Sequence, residues 1–405
     1  MSERHDRLIS PAEAEALIRA NAAALPARSL PLTELVGTIL RERIVAGFDQ
    51  PPFDRVTMDG IAFSFAAYVR GRRSFRIAGT QAAGAPPLTL RDDEQCIEVM
   101  TGAMLPAGCD CVIPVEKLSV ADGVAQLVSD ATPEARLNIH ARGTDSRRGD
   151  ALLQPGVRLW PAEVAVLAAN GRTHASVTRS PRIVVISTGD ELVEPGKQLA
   201  EWQIYRSNVY AVMAALQRRG FAQPTLEHLP DDPAILRARL GAHLESHDVL
   251  ILSGGVSMGR FDYVPQVLGE LNVRVVFHKV AQRPGKPLWF GVGAGGQTVY
   301  ALPGNPVSTL VCLARYVFAG LETSLGAASR PQESIALAER FEVKPALSVF
   351  VPVQVACTHT QRRAVPKPTR GSGDFTSLIG TDGFVELPVG PATLAAGTPV
   401  ALYSW

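Results

Sequence analysis

The chain has 405 residues, 46% of them hydrophobic and 20% charged, with a formal net charge of +1. That length exceeds a single core and calls for roughly two to four domains, and the near-neutral charge excludes a polyanion-binding surface spread over the molecule, nucleic acid included. Five scattered cysteines (Cys96, Cys109, Cys111, Cys312 and Cys357) without a CxxC pair, a polar start and no apolar run of membrane-span length predict a cytoplasmic protein with reduced thiols and no membrane contact.

Ser10-Pro11 followed by Glu13 is an N-cap and first-turn pattern that opens an Ala-rich helix over 10–25. Leu35, Ile39, Leu40 and Ile44 recur at helical spacing, which predicts a second helix over 30–46, ended near Gly47 and Pro51-Pro52. From 53 to 145 the texture turns to short β-like runs between Gly and Pro, among them 74–79, 95–100 and 109–118. Trp160-Pro161 then starts a helix with Val164, Val166, Leu167 and Ala168 inward, stopping at Gly171. Helices on both sides of the β-like runs predict a β-rich lid (53–145) inserted into a helical N-terminal domain (1–52 and 146–178).

Residues 179–327 alternate strand and helix: strands at 182–187, 225–229, 248–253, 273–280 and 298–303, helices at 207–219, 233–246, 262–270 and from Asn305 to about Gly320. This predicts a multidomain α/β protein whose main domain is a doubly wound, mostly parallel sheet covered on both faces. Residues 328–405 return to short strands and turns, as in a small C-terminal β-barrel or sandwich.

Three strand exits in the α/β domain carry polar, glycine-bearing turns: Ser187-Thr188-Gly189-Asp190-Glu191, Ser253-Gly254-Gly255 continuing past Ser257 to Asp262, and Leu302-Pro303-Gly304-Asn305-Pro306. Such turns expose backbone N–H groups at the carboxyl edge of a sheet, where open α/β folds bind ligands, and glycine lets the backbone approach an anion. In the third turn Asn305 stands as N-cap and Pro306 as first helical residue, so its free N–H groups form an anion site. Lys279, Arg283 and Lys286, held by Pro284, Gly285 and Pro287, then read as a phosphate or oxyanion clamp. Glu191, Asp231 and Asp262 gather at the same edge, and carboxylates beside phosphates call for a hard divalent cation, Mg²⁺. Asp232 before Pro233 is an N-cap. In the N-terminal half, Asp59 of Thr57-Met58-Asp59-Gly60 and Thr101 of Met100-Thr101-Gly102 place an acid and a hydroxyl in turns. The histidines, including His140, His228 and His278, show no metal-ligand spacing, and neither a zinc site nor a Ser–His–Asp arrangement is expected.

TMDG at 57–60, MTGAMLPAGCD at 100–110, STGDEL at 187–192, SGGVSMG at 253–259, RPGKP at 283–287 and LPGNPVS at 302–308 occur in that order. Together they resemble the molybdopterin molybdenumtransferase family (MoeA and the C-terminal domain of gephyrin), over about residues 10–400. The resemblance implies an elongated homodimer and a Mg²⁺-dependent reaction that inserts molybdenum from molybdate into adenylyl-molybdopterin, releasing AMP. It also implies other molybdenum-cofactor biosynthesis proteins as partners. Residue by residue, it carries catalytic roles to Asp59, Thr101, Asp145, Glu191, Asp231, Asp262, Lys279 and Arg283. Substrate binding falls to Thr188, Gly189, Ser253, Gly254, Gly255, Ser257, Lys286, Pro303, Gly304, Asn305, Pro306 and Ser372, and Mg²⁺ to Glu191 and Asp262. Asp59, Thr101 and Asp145 would close the cleft from the partner subunit. The chain departs from the family pattern at Ile61, Arg206, Arg283 and Thr381-Asp382-Gly383. Two alternatives stay open at this point: a molybdopterin adenylyltransferase, and a non-catalytic cofactor carrier or scaffold.

Overall fold

The computed structural model describes residues 8–255, 263–344, 346–357 and 361–405. The chain divides into two compact units, one of Met1–Arg41, Pro155–Trp160 and His174–Trp405, the other of Glu42–Gln154 and Pro161–Thr173.

The first unit is built on a six-stranded sheet in the order Thr225–Leu229, Ile183–Thr188, Val249–Ser253, Thr298–Leu302, Trp289–Val292, Arg274–His278. The first four of these run parallel. The strand Trp289–Val292, unmarked by the sequence reading, is antiparallel to both its neighbours. Ile183–Thr188, Val249–Ser253 and Thr298–Leu302 are buried at every position, which only a sheet covered on both faces allows. Alternate side chains serve two cores. Ile183, Val185 and Ile251 pack against Val209, Val212 and Val307 on one face, and Val184, Ile186, Leu250 and Leu252 against Leu236, Leu240 and Val267 on the other. The helix Pro233–Ser246 starts on Asp232, whose carboxylate accepts from Ala234 and Ile235 N–H, as expected. Ser10 caps Pro11–Asn21 through Glu13 N–H, and Ala14 and Ile18 of that helix join the first core.

Residues 334–404 of the same unit close into a barrel. Ser348–Cys357, Arg362–Pro366, Ser334–Leu337, Pro399–Ser404 and Gly383–Leu387 pair in turn, and the last returns to the first. Leu337, Val353, Ala364, Val385 and Leu402 fill it.

The N-terminal segment corrects the expected helical domain. Residues 30–46 are not a helix: the strand Ala27–Pro31 leads to the 3₁₀ turn Leu32–Glu34, and a two-residue strand follows at Ile44–Val45. Leu35, Ile39, Leu40 and Ile44 are all buried, so their spacing reflects burial in an irregular segment and not one face of a helix. Gly37 takes a left-handed φ of +80°, and the backbone pairs with distant strands instead of itself, Leu40 N–H to Val157 O at 2.9 Å and Thr178 N–H to Ile39 O at 2.8 Å. Those long-range bonds replace the helical ones.

The second unit is a curled six-stranded sheet in the order Cys111–Pro114, Gly60–Phe63, Gln95–Val99, Ser74–Gln81, Val124–Leu127, Leu118–Ala121. Its helix Pro161–Ala169 buries only Leu167 fully, and Ala168, expected inward, is exposed. Burial pushes the thiols of Cys96, Cys109 and Cys111 up to about 12, so they pack as small apolar groups.

Candidate active site

The sheet topology fixes where the site lies. From Ile183–Thr188 the chain moves outward to Thr225–Leu229, then returns across the starting strand to Val249–Ser253. The crevice beyond the carboxyl ends of Ile183–Thr188 and Val249–Ser253 is therefore the topological switch point, the usual ligand position in such sheets. Register brings the exits level. Ser187 pairs with Ser253, Ser253 with Leu302, and Thr188 with Leu229. Trp289 stands opposite both Ala301 and His278, so the turn carrying Lys279, Arg283 and Lys286 leaves at the same edge.

The three turns touch one another. Gly254 N–H donates to Leu302 O at 3.2 Å. A Cβ on Gly254, at φ +104°, would lie 2.7 Å from Thr188 O, and one on Gly304 would lie 3.6 Å from Gly254 Cα. Thr188 is buried, and its Oγ1 has no hydrogen-bond partner among the described residues. Asn208, at the start of helix Asn208–Arg218, ties the second and third turns: its Nδ2 donates to Ser253 Oγ at 2.9 Å and to Gly304 O at 2.7 Å. Sequence reading missed this residue, and its only signal was its place at a helix start.

The first turn folds Glu191 over Gly189, where the carboxylate occupies the space of a Cβ. Glu191 is exposed. Asp190 accepts from Asp231 N–H at 3.2 Å, which joins this turn to the exit of Thr225–Leu229. A hollow of about 420 Å³ opens beside it, with Glu194, Lys197, Arg206 and His228 among its walls. Arg206 is ion-paired with Glu194, and that pairing together with the Tyr210 hydroxyl holds the Glu194 carboxyl below the usual carboxylate range.

The third turn differs from its expected form. Asn305 is the N-cap residue and Pro306 the first helical one, but the Asn305 side chain caps nothing. Its Nδ2 instead donates to Ser372 Oγ at 2.8 Å, and Val307 N–H is taken by Ser372 O at 3.0 Å. A helix-end N–H expected to be free is thus satisfied from the barrel. Thr309 Oγ1 donates to Pro303 O at 2.7 Å. Arg283 and Lys286 are exposed, while Gln282, just before Arg283, and Gly285, just before Lys286, are buried. Ser257 and Asp262 lie outside the described residues.

In the second unit Asp59 and Thr101 meet, the Thr101 hydroxyl donating to Asp59 Oδ1 at 2.7 Å and its N–H at 2.6 Å. Those two bonds hold the exposed Asp59 carboxyl below its ordinary range. Glycine follows because a Cβ at Gly60 would run into the Ile113 carbonyl. Asp145 receives a hydrogen bond from His140 Nε2 at 2.8 Å. The Arg55 guanidinium, which can only donate, meets His140 Nδ1 at 3.2 Å, so Nε2 carries the hydrogen.

Comparison with known proteins identifies the family. The families described as MoeA N-terminal region (domain I and II), probable molybdopterin binding domain, and MoeA C-terminal region (domain IV) match residues 9–171, 184–323 and 334–405. The molybdopterin molybdenumtransferase of Synechocystis sp. is 40% identical over 409 residues, covering 98% of this chain and 100% of the relative. That of Synechococcus elongatus is 33% identical over 410 residues, covering 98% and 100%. The crystal structure of a molybdopterin biosynthesis MoeA protein from Pyrococcus horikoshii has a TM-score of 0.79 at 29% identity, covering 98% of this chain and 99% of that one. Six ordered motifs, three family matches in sequence and full-length similarity give one conclusion: the chain belongs to the molybdopterin molybdenumtransferase family.

Proposed function

We propose that this chain inserts molybdenum from molybdate into adenylyl-molybdopterin, releasing AMP, as a Mg²⁺-dependent cytoplasmic homodimer. The single observation that carries this is that three glycine-bearing turns leave the carboxyl edge of the sheet around the switch point and the cation loop leaves the same edge from the strand Arg274–His278. Both substrates are anions, and this edge presents what anions need: backbone donors, fixed guanidinium and ammonium groups, and little side-chain bulk. Thr188, Gly189, Ser253, Gly254 and Gly255 would receive the pterin phosphate side, with Pro303, Gly304, Asn305, Pro306 and Ser372 as the opposite wall. Lys279, Arg283 and Lys286 would hold phosphate or molybdate. Asp231, tied to Asp190, would shape the first turn. Ser257 would complete the second turn. Asp59, Thr101 and Asp145 would act from the partner subunit of the dimer. As domains we take 1–52 with 146–178, 53–145, 179–327 and 328–405.

Among the described residues no three carboxylates, imidazoles or thiols form a preformed metal cluster. Mg²⁺ would be held by one or two carboxylates and completed by substrate oxygens and water, and Glu191 offers an exposed carboxylate at this edge, with Asp262 as the second expected ligand. Bound there, Mg²⁺ would neutralise phosphate charge as the adenylate leaves. The chain's own contribution is to orient two like-charged substrates that would otherwise repel.

The test supplies purified protein with adenylyl-molybdopterin, Mg²⁺ and molybdate, and follows AMP release and metal incorporation without ATP. Glu191→Ala and Lys279→Met are expected to fold as wild type by circular dichroism and to lose insertion by about 100-fold or more. Full activity in both would overturn the site assignment. ATP-dependent adenylylation of free molybdopterin would instead identify the preceding step as this chain's reaction.

A further inference from the structure

The cation loop is nailed down from behind. Lys279, at φ +73°, donates its N–H to Leu288 O at 2.9 Å, and Val280 N–H reaches Lys286 O at 2.9 Å. Gln282–Arg283 lies parallel to the barrel strand at Ser348–Val349. At the centre is Gln282, 1% exposed. Its Oε1 accepts from the Tyr316 hydroxyl, and its Nε2 donates to Pro284 O at 3.0 Å. The Cys312 thiol meets Gly285 O at 3.6 Å. A Cβ on Gly285, at φ +92°, would lie 2.6 Å from Gln282 Nε2 and 2.7 Å from Cys312 Sγ, so glycine is required where the loop presses on this cluster.

Tyr316 and Cys312 are fully buried. Tyr316 belongs to a π-helical turn, Leu313–Val317, between Pro306–Cys312 and Phe318–Ser324. Such turns widen a helix locally and recur at functional places. The neighbouring Arg315 anchors the same turn to Glu15 and Glu386. A buried amide is unfavourable unless its bonds are made, and an apolar side chain of equal length would fill the same space. What the amide adds is direction: it fixes the Pro284 carbonyl, in the stretch of chain between Arg283 and Lys286.

We propose that Tyr316 and Gln282 are positioning residues, a buried hydrogen-bonded pair that holds the loop so that Arg283 and Lys286 present a fixed pair of cations to a tetrahedral oxyanion. This rests on the oxyanion role proposed above for the loop. It acts on affinity, because neither residue reaches solvent or substrate. Tyr316→Phe leaves Gln282 Oε1 without its donor and frees the loop to shift.

Steady-state insertion assays with varied molybdate are run on Tyr316→Phe, on Gln282→Met, on the double variant and on Lys286→Met. Tyr316→Phe and Gln282→Met are each expected to raise the half-saturating molybdate concentration about tenfold with kcat within about twofold. The double variant removes both polar partners and should regain thermal stability, yet keep the raised molybdate requirement because Pro284 O stays unheld. Limited trypsinolysis gives a readout independent of activity. Arg283-Pro284 and Lys286-Pro287 resist trypsin, which leaves Lys279-Val280 as the cleavable bond, and Tyr316→Phe should be cut there faster than wild type. Wild-type molybdate affinity in the double variant would show a merely structural pair and refute the inference. If Lys286→Met weakens molybdate use while Tyr316→Phe and Gln282→Met do not, the loop keeps its role and the positioning pair is refuted. Unchanged molybdate use in Lys286→Met would refute the oxyanion role and the inference together.

Discussion

Adding one methyl group at Gly254 tests the close approach of turns on which the site is built. Gly254 has φ +104°, outside the region that even left-handed L-residues favour, which costs about 1–3 kcal/mol. The new Cβ would stand 2.7 Å from Thr188 O and 3.0 Å from Thr188 Oγ1. Thr188 O cannot retreat, because its strand is paired on both sides and buried throughout, so a further 1–2 kcal/mol is expected from this overpacking. Loss of glycine's freedom in the unfolded chain returns about 0.4–1 kcal/mol. Gly254→Ala should therefore lose about 1–5 kcal/mol, centred near about 3 kcal/mol. Gly255 is the control. At φ +70° it is nearly left-handed helical, and its Cβ would meet side chains, Val264 Cγ2 at 2.8 Å and Thr188 Oγ1 at 2.9 Å. Those are side-chain γ atoms, which yield more easily than a paired backbone carbonyl. Strain of about 1–2 kcal/mol less the same unfolded-state return of about 0.4–1 kcal/mol leaves Gly255→Ala a loss of about 0–1.6 kcal/mol. Because several domains spoil a two-state Tm, the measurement is native-state hydrogen exchange of the Val249–Ser253 amides in each variant. Equal losses, a larger loss at Gly255, or both variants within about 0.5 kcal/mol of wild type would refute the packing account.

Arg315 is 5% exposed and joins Glu15 to Glu386, with Glu386 at 2.9 Å. Arg315→Met strands two half-buried carboxylates and should cost about 2–4 kcal/mol by native-state hydrogen exchange of the neighbouring helix amides, less than for a fully buried pair because both acids keep some solvent. Burial would raise the Glu15 carboxyl, but hydrogen bonds from Arg315 and Arg19 outweigh it and hold it below its ordinary range. The deficit should therefore shrink as pH falls below the unfolded glutamate value of about 4.3, and a pH-independent deficit would refute the charge explanation. For Asp248, burial alone would raise the carboxyl, but hydrogen bonds from Arg179 and Arg182 overcome it and hold it well below the usual carboxylate range. A depressed folded value means stability that is present above the unfolded pKa of about 3.9 and lost as pH falls through the folded one. Asp248→Asn should thus be less stable than wild type at neutral pH, with the gap narrowing steadily below about pH 4. A constant gap across that range would show that the ion pairs contribute nothing.

Much of the α/β unit was legible because its signals are local. Thr225–Leu229 and Pro233–Ser246 fall at the residues expected, and Ser10 and Asp232 cap as their neighbours imply. The same local logic failed over 30–46, where apolar spacing fits a helix but Gly37 and distant backbone partners decide otherwise. It also passed over Trp289–Val292, whose strand character comes from two flanking strands. Within the site, the glycine turns were readable as turns. That Thr188 O presses on Gly254 was not, since the two are far apart in the chain.

From the order of its residues alone, this protein determines which segments are buried, where helices begin and which turns need glycine, because caps, φ preferences and side-chain period act over a few residues. Only the tertiary structure decided that Ser372 reaches Asn305, that Asn208 links two turns, and that Tyr316 supports Gln282 behind the cation loop. Each of those bonds joins groups with many possible partners along the chain. The choice among them is made by sheet order and barrel closure, which bring strands together whatever their distance in sequence.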